Sequence, residues 1–259
     1  MATSMASILE IEEHALASWP AAELEIFAGW QLRAMNGVSQ RANSVWTGRA
    51  LGSLSLESRI AHAEAFYRSR ALAASFQVST RCEPTGLDEA LAEHGYSIEA
   101  PVSVQVACAR ELATASSSAN VRAQVDAHMS ELWFDISARR GRFAEVQDVY
   151  RGLLSRLGSR ALYGIAFVDE CPAAVGLGVR GARWLGISSM FTLPEYRGQG
   201  AARSILRALA AHADARDEPS LYLQVERANQ AALDLYSRLG FVHHHGYHYR
   251  VRAGTKTPP

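Results

Sequence analysis

One order of elements occurs near the end of both halves of this 259-residue chain, and it limits the fold more than any other feature. Each time, a short strand pattern is followed by a helical pattern, a glycine–aromatic pair and a second strand pattern. These segments are residues 75–79, 87–94, 95–96 and 102–109 in the first half, and 221–226, 231–239, 240–241 and 242–251 in the second. The repeat predicts an α/β (α+β) protein of two similar halves, each with a mixed sheet flanked by helices.

The segments upstream of each repeat extend the same α/β pattern. In the first half we predict helices over 8–18 and 56–72, and a β-hairpin with strands over 30–35 and 40–46 that turns at Asn36-Gly37. In the second half we predict a strand from Val121, helices over 127–138 and 142–157, and three strands within 161–192. Small residues without periodicity follow Glu111, so we predict a domain over 1–112, a linker over 113–119 and a second domain over 120–255.

The strand predicted over 184–192 runs through two glycines into a helix, and a junction of this kind binds anions. Ala202, Ile205 and Leu209 recur at helical spacing, which places Gly198 and Gly200 at the helix start. Without Cβ atoms, these glycines let backbone N–H groups converge on a ligand. The unpaired N–H groups of the first helical turn add partial positive charge, so phosphate is the expected ligand.

The composition argues against several classes of function. The formal net charge is +0, so no overall field favours nucleic acid or anionic lipid. The only lysine is Lys256, whereas Schiff-base, pyridoxal and phosphate-loop chemistry each need a lysine inside the fold. No apolar stretch approaches the roughly 20 residues of a membrane helix, and the first basic residue is Arg33. We therefore expect a cytoplasmic protein without a signal peptide or membrane partner.

The sequence predicts no metal site. The three cysteines lie far apart without a zinc-ligand spacing. In a strand, His243 and His245 share one face while His244 lies on the other, and no cluster of Asp, Glu or Cys completes a ligand set. We interpret this histidine run as an exposed or cleft-lining strand, whose rings could touch a substrate.

Two motifs give the second half a family resemblance. The first is Arg197-Gly-Gln-Gly-Ala-Ala202, which follows Pro-Glu-Tyr, and the second is the block over 223–241, with Asn229, Tyr236 and Leu-Gly-Phe241 in order. Over residues 119–252 the chain resembles the GNAT superfamily of acyl-CoA-dependent N-acetyltransferases. The first half lacks the glycine turn, so the resemblance implies a tandem protein with a degenerate GNAT-like first half, a plan similar to some two-part bacterial GNAT proteins.

The resemblance implies acetyl-CoA as cosubstrate and assigns its binding residues. The backbone of the helix start would hold the coenzyme pyrophosphate, through Gly198, Gln199, Gly200, Ala201, Ala202 and Arg203. The strand end would pair its main chain with the pantetheine arm, through Met190, Phe191 and Thr192. Asn229 would contact the coenzyme, or else simply cap the following helix. Arg203 stands where a dinucleotide fingerprint needs its third glycine, which argues against a nicotinamide cofactor.

Tyr236 is the candidate catalytic residue. A phenol with a pKa of about 10 stays protonated at neutral pH and can give its proton to a departing thiolate, whose thiol has a pKa near 8.5. The alternative is a core tyrosine on the apolar face that Ala232 and Leu239 also form. Relatives that acetylate ribosomal proteins carry a glutamate base where this chain has Gln224. The base is therefore open between ordered water, Glu226, Asp135 and an acceptor that is already neutral.

We interpret the chain as an N-acetyltransferase that moves an acetyl group directly to a primary amine. An acetyl-CoA-binding sensor without activity, or a small-molecule acetyltransferase similar to mycothiol synthase, remains an alternative. Two clusters could contact the acceptor. One is Trp133-Phe134-Asp135, although two aromatics on a helix more often belong to the core. The other is Arg33 with Arg41 and Asn43, which could equally form a buried polar network or a domain interface. The identity of the amine and the oligomeric state, a homodimer included, are left open.

Overall fold

The computed structural model describes residues 5–36, 38–114, 119–141, 143–216 and 220–252, with side chains from residue 7 onward. The chain is a mixed α/β protein and has two compact units. Unit 1 takes the described residues within Met1–Ser103, Glu226–Ala228 and His245–Pro259. Unit 2 takes those within Val104–Val225 and Asn229–His244. No helix in the described ranges is long and apolar enough to cross a membrane.

Unit 1 contains a mixed sheet with helices packed on it. Its helices are α1 (Met5–Ser18), α2 (Leu56–Arg68) and α3 (Leu87–Glu93). Its strands are β1 (Glu23–Phe27), β2 (Trp30–Ala34), β3 (Val45–Trp46), β4 (Ser75–Ser79), the first part of β5 (Tyr96–Cys108) and the last part of β11 (Val242–Arg252). The strand order is β1-β2-β3-β4-β11-β5, with β3 parallel to β4 and β11 antiparallel to β4. Trp30, Tyr67 and Phe76 are at the centre of its core.

The predicted hairpin at Asn36-Gly37 was wrong for residues 40–44. The hairpin is formed by β1 and β2, which turn at Ala28 and Gly29 with φ of 48° and 90°. Residues Gln40–Ala42 form a 3₁₀ turn, and only Val45–Trp46 pairs with β2. Residues 40–44 do not form a strand because the side chain of Asn43 forms two hydrogen bonds with the backbone. Asn43 accepts from the Met35 N–H at 2.7 Å and donates to the Ser39 carbonyl at 2.8 Å, which replaces ladder bonds. Gly37 lies outside the described residues.

Arg33 is buried inside unit 1 and binds backbone carbonyls. Its side chain donates to the carbonyls of Arg41 at 2.7 Å, of Leu16 at 3.3 Å and of Trp19. Burial lowers its pKa to about 10, so the guanidinium remains charged at neutral pH. Arg33 and Asn43 therefore use their polar atoms within a buried network, which supports the structural interpretation of this cluster over the acceptor site.

We expect Arg33→Met to lower the free energy of unfolding by about 3 kcal/mol or more, because it removes the three hydrogen bonds that the buried guanidinium donates to backbone carbonyls. The measurement is urea unfolding of the full chain. Arg49→Met is the matched control, since the Arg49–Glu13 ion pair is half exposed, with side chains 50% and 42% accessible. We expect the control substitution to lower the free energy of unfolding by less than about 1 kcal/mol. Equal effects of the two substitutions would contradict the network.

Unit 2 is also built of paired strands and helices. Its helices are α4 (Ala109–Ala113), α5 (Glu131–Phe134), α6 (Gln147–Ser155), α7 (Ala201–Asp214) and α8 (Gln230–Arg238), with a π-helical segment over Asp135–Arg139. Its further strands are β6 (Val121–Asp126), β7 (Ala161–Val168), β8 (Cys171–Arg180), β9 (Trp184–Thr192) and β10 (Ser220–Glu226). The order is β5-β10-β9-β8-β7-β6, in which β10 and β9 are parallel and β9 to β6 are antiparallel.

Helix α7 packs closely on the sheet of unit 2 because two strands carry glycine beneath it. A Cβ at Gly164 would lie 2.8 Å from Ile205 Cγ2, and one at Gly176 would lie 2.9 Å from the same atom. Ile205, Leu206 and Leu209 are fully buried, so the apolar face predicted from helical spacing forms the core. This close packing fixes where α7 begins relative to β9.

The internal repeat is confirmed as secondary structure, since β4-α3-β5 and β10-α8-β11 follow the same order. The glycine after each helix has left-handed φ, 79° at Gly95 and 82° at Gly240, which ends the helix before the aromatic residue. Residues 104–108 of β5 belong to unit 2, and residues 245–252 of β11 belong to unit 1. The units are therefore not continuous in sequence. The boundary at 113–119 stays a prediction, and its residues 115–118 lie outside the described ranges.

Candidate functional site

The end of strand β9 has an open side. Its parallel pairing with β10 runs from Trp184–Ser220 to Ile187–Leu223, and in the described residues no further pair follows. On the other side β9 stays paired with β8 up to Thr192 and Ala174. Two parallel strands that part in this way leave backbone N–H and C=O groups available to a ligand that imitates a strand.

A β-bulge lies within this open stretch. Ser188 pairs with Leu177 and Phe191 with Val175, so Ser189 and Met190 together oppose Gly176. Ser189 has φ of 50°, a left-handed conformation that is uncommon for residues other than glycine. A bulge re-aims the side chains and N–H groups around it.

The predicted anion site is at the helix start after β9. A 3₁₀ turn over Pro194–Tyr196 leads to Gly198 and Gly200, whose φ values are 77° and 90°. Gly200 is the N-cap of α7 and provides no side-chain acceptor, so the N–H groups of the first turn point past the helix end. A Cβ at Gly198 would have no heavy atom within 4 Å, which shows open space beside the turn.

Side chains around the helix start support the same assignment. Gln199 donates to the Glu195 carbonyl at 3.1 Å, a bond that closes the turn. Arg203 is half-buried in the first turn of α7, and within the described residues its buried Nε has no hydrogen-bond partner. A guanidinium in the first helical turn adds positive charge to this end of the helix.

Asn229 caps helix α8. Its Oδ1 accepts from the Ala232 N–H at 3.2 Å, so the capping role considered as an alternative is present. The amide nitrogen does not take part in that bond and could donate to a ligand.

Tyr236 lies on α8 in the core of unit 2, in the cluster that also contains Leu239 and Phe241. The centres of the Tyr236 and Phe241 rings are 5.7 Å apart, and Tyr236 is 8% exposed. Burial raises the pKa of Tyr236 to about 12, so its hydroxyl is protonated throughout the neutral range. The packing role and a proton-donor role are compatible, because the first uses the ring and the second the hydroxyl.

The candidates for a general base differ in their surroundings. Gln224 is half-buried on β10, and Glu226 is exposed at the end of the same strand. Asp135 forms an ion pair with Arg139 at 3.2 Å, which occupies one carboxylate oxygen. Among the described residues none of these groups is marked out as a base by its contacts.

The other sequence candidates have structural partners. Trp133 and Phe134 are each 1% exposed, and Trp133 Nε1 donates to the Gly176 carbonyl at 3.1 Å, so both are core residues. In the histidine run, His243 is exposed, and His244 and His245 are buried. His248 contacts Asp88 at 2.9 Å. In the part of the chain that is described, no three Asp, Glu, His or Cys side chains are grouped as metal ligands.

One contact at the bulge is not predicted from the sequence. Tyr150, on α6, places its hydroxyl 2.9 Å from Ser189 Oγ. The two residues are 39 positions apart, and neither belongs to a motif, so no local pattern could have paired them.

Comparisons with known proteins agree on one family. The family model described as "Probable histone acetyltransferase Rv0428c C-terminal" matches residues 5–250. A Bacillus subtilis (strain 168) protein named "Uncharacterized N-acetyltransferase YobR" is 30% identical over 252 residues, 96% of this chain and 100% of that protein.

Solved structures share the fold at low sequence identity. A GCN5-related N-acetyltransferase from Kribbella flavida has a TM-score of 0.69 and 14% identity, covering 98% of this chain and 97% of that one. A tandem GNAT protein from the clavulanic acid biosynthesis pathway has a TM-score of 0.62 and 14% identity, covering 75% of this chain and 68% of that one.

Proposed function

Because the chain belongs to the GNAT family of N-acetyltransferases, in the group of the Rv0428c C-terminal model, we propose that it transfers an acetyl group from acetyl-CoA directly to a primary amine. The observation that carries the proposal is the continuous segment from the open end of β9 to the start of α7. It offers a strand edge and an anion site in succession, which suits a ligand with an amide-containing arm and a pyrophosphate.

In this proposal the chain holds acetyl-CoA mainly through its backbone. The N–H groups from Gly198 to Arg203 bind the pyrophosphate, and the Arg203 side chain adds positive charge. The main chain of Met190–Thr192 pairs with the amides of the pantetheine arm, on the side of β9 that β10 leaves open. Asn229 donates its free amide N–H to the coenzyme while its oxygen caps α8.

The chemistry assigned to the chain is charge stabilisation and proton transfer. Acetyl-CoA supplies the activated acetyl group. A main-chain N–H at the end of β9 stabilises the negative charge that develops on the acetyl oxygen as the amine nitrogen attacks. The Tyr236 hydroxyl faces the sulfur as the C–S bond breaks, and donates a hydrogen bond or its proton to the thiolate.

The amine must lose a proton before it attacks, and Gln224 cannot accept one. We propose that this proton leaves through ordered water or that the acceptor binds already neutral. Glu226 and Asp135 are weaker candidates, since Glu226 is exposed at the end of β10 and Asp135 is bound to Arg139. The same glutamine makes a protein amino terminus a less favoured acceptor than a small amine.

The test is acetyl-CoA turnover, followed as free-thiol release, against a panel of antibiotics, amino acids, polyamines and peptides. Thiol release that requires an amine and yields its N-acetyl product is the expected result. Binding of acetyl-CoA without turnover on the whole panel would contradict the transferase and favour a sensor. The identity of the acetylated amine would separate the mycothiol-like alternative.

A further inference from the structure

Tyr150 connects helix α6 to the bulge of β9. The side chain is wholly buried, and its hydroxyl lies 2.9 Å from Ser189 Oγ and 3.0 Å from Ser137 Oγ. A phenol has one proton, so it can donate in at most one of these bonds. Its hydroxyl therefore joins the π-helical segment, through Ser137, to the sheet, through Ser189.

The ring of Tyr150 is held as firmly as its hydroxyl. Phe143 stacks on it with centroids 4.0 Å apart and an interplanar angle of 15°. Phe134 is 6.2 Å away at 22°. Aromatic contacts of this kind restrict the ring to one position, so the hydroxyl is presented to Ser189 in a fixed place.

Ser189 needs such a contact because its backbone is strained. A left-handed φ at a residue with a Cβ costs on the order of 1–2 kcal/mol and persists where the surroundings enforce it. On the facing strand, Trp133 donates to the carbonyl of Gly176, the residue that the bulge opposes. Each strand of the bulge is thus bound by a buried aromatic side chain, β9 by Tyr150 and β8 by Trp133.

From these contacts we infer that Tyr150 is a positioning residue that fixes the β9 bulge for the acyl end of the coenzyme. The inference rests on the proposed function, which places the pantetheine arm on Met190–Thr192, directly after the bulge. Without the hydroxyl, Ser189 can relax toward negative φ. That relaxation turns the N–H groups of Ser189 and Met190 away from their present directions.

The experiment compares two ligands by calorimetry on the full chain. Acetyl-CoA carries the pantetheine arm and the acetyl group, and 3′-phosphoadenosine 5′-diphosphate carries only the nucleotide and its phosphates. We expect Tyr150→Phe to weaken acetyl-CoA binding roughly 5- to 10-fold, the net size of a buried hydrogen bond, and to leave nucleotide binding within about twofold. Equal weakening of both ligands, or of neither, would overturn the inference.

Ser189→Ala removes the partner of the contact without touching the aromatic cluster. We expect it to match Tyr150→Phe, and the double variant to bind acetyl-CoA no more weakly than the weaker single variant. Additive losses of acetyl-CoA affinity in the double variant would refute the Tyr150–Ser189 contact as the cause of the weaker binding. Tyr163→Phe is the control, because it removes a buried hydroxyl from β7, beside Trp133 at 5.0 Å between centroids, and should change neither affinity.

These binding measurements separate the inference from the proposed function. A chain that binds acetyl-CoA but acetylates no amine fails as a transferase, while the comparison of the two ligands still decides the role of Tyr150. Absence of acetyl-CoA binding by the unaltered chain would overturn both. Because Ser189→Ala is a small change outside the aromatic cluster, the test remains decisive even when Tyr150→Phe does not fold.

Discussion

Gly200→Glu is expected to raise the Kd for acetyl-CoA by about 100-fold or more, which removes measurable binding. Gly200 has φ of 90° as the N-cap of α7, a conformation that glutamate adopts only with strain. The new carboxylate would also be placed at the helix start, where it repels the pyrophosphate and competes for the same N–H groups. Calorimetric titration with acetyl-CoA measures the effect, and retained tight binding would refute the coenzyme placement.

Gly158→Glu is the matched control for that substitution. Gly158 also has left-handed φ, 55°, and a Cβ there would have no heavy atom within 4 Å. The control adds the same charge and a similar backbone strain elsewhere in unit 2. We expect it to lower stability slightly and to leave acetyl-CoA affinity unchanged. A comparable loss of acetyl-CoA affinity in both variants would show that the loss in Gly200→Glu comes from unfolding.

The helix start of the candidate site could be predicted because its information is local. The apolar run of β9, the glycines at 198 and 200 and the spacing of α7 are adjacent in sequence, and each determines the backbone of its own neighbourhood. Glycines 95 and 240 were likewise visible as helix ends. Features of this kind depend on backbone conformation, which a short window of residues determines.

The bulge and the strand order could not be predicted, since both depend on contacts between distant residues. Ser189 contacts Tyr150 on α6, 39 positions away, and β11 pairs with β4 although the whole second half separates them in sequence. The hairpin error has the same origin. Asn36-Gly37 is a good turn pair, but the side chain of Asn43 already satisfies the Met35 N–H that a longer strand would need.

Tyr236→Phe is expected to lower kcat by about 10-fold or more while the Kd for acetyl-CoA stays within about twofold. The substitution keeps the ring that packs against Phe241 and removes only the hydroxyl. Steady-state kinetics on the best amine of the panel, with calorimetry beside it, gives both numbers. An unchanged kcat would leave Tyr236 with its packing role alone.

The pKa of Tyr236 determines how that loss should depend on pH. Burial raises this pKa to about 12, so the protonated donor is the populated form at every pH below about 11. Tyr236 therefore contributes no alkaline decline of kcat between pH 7 and 10, and the ratio of wild-type to Tyr236→Phe kcat should be constant across that range.

A phenol with a pKa of about 12 is a weaker acid than a thiol with a pKa near 8.5, so complete proton transfer to the thiolate is uphill. The hydroxyl acts first as a hydrogen-bond donor to the departing sulfur, which places the expected loss nearer 10-fold than 1,000-fold. A wild-type to Tyr236→Phe kcat ratio that falls to one with a midpoint near pH 9 would contradict the predicted pH independence, since it would show that the phenol ionises in the working range.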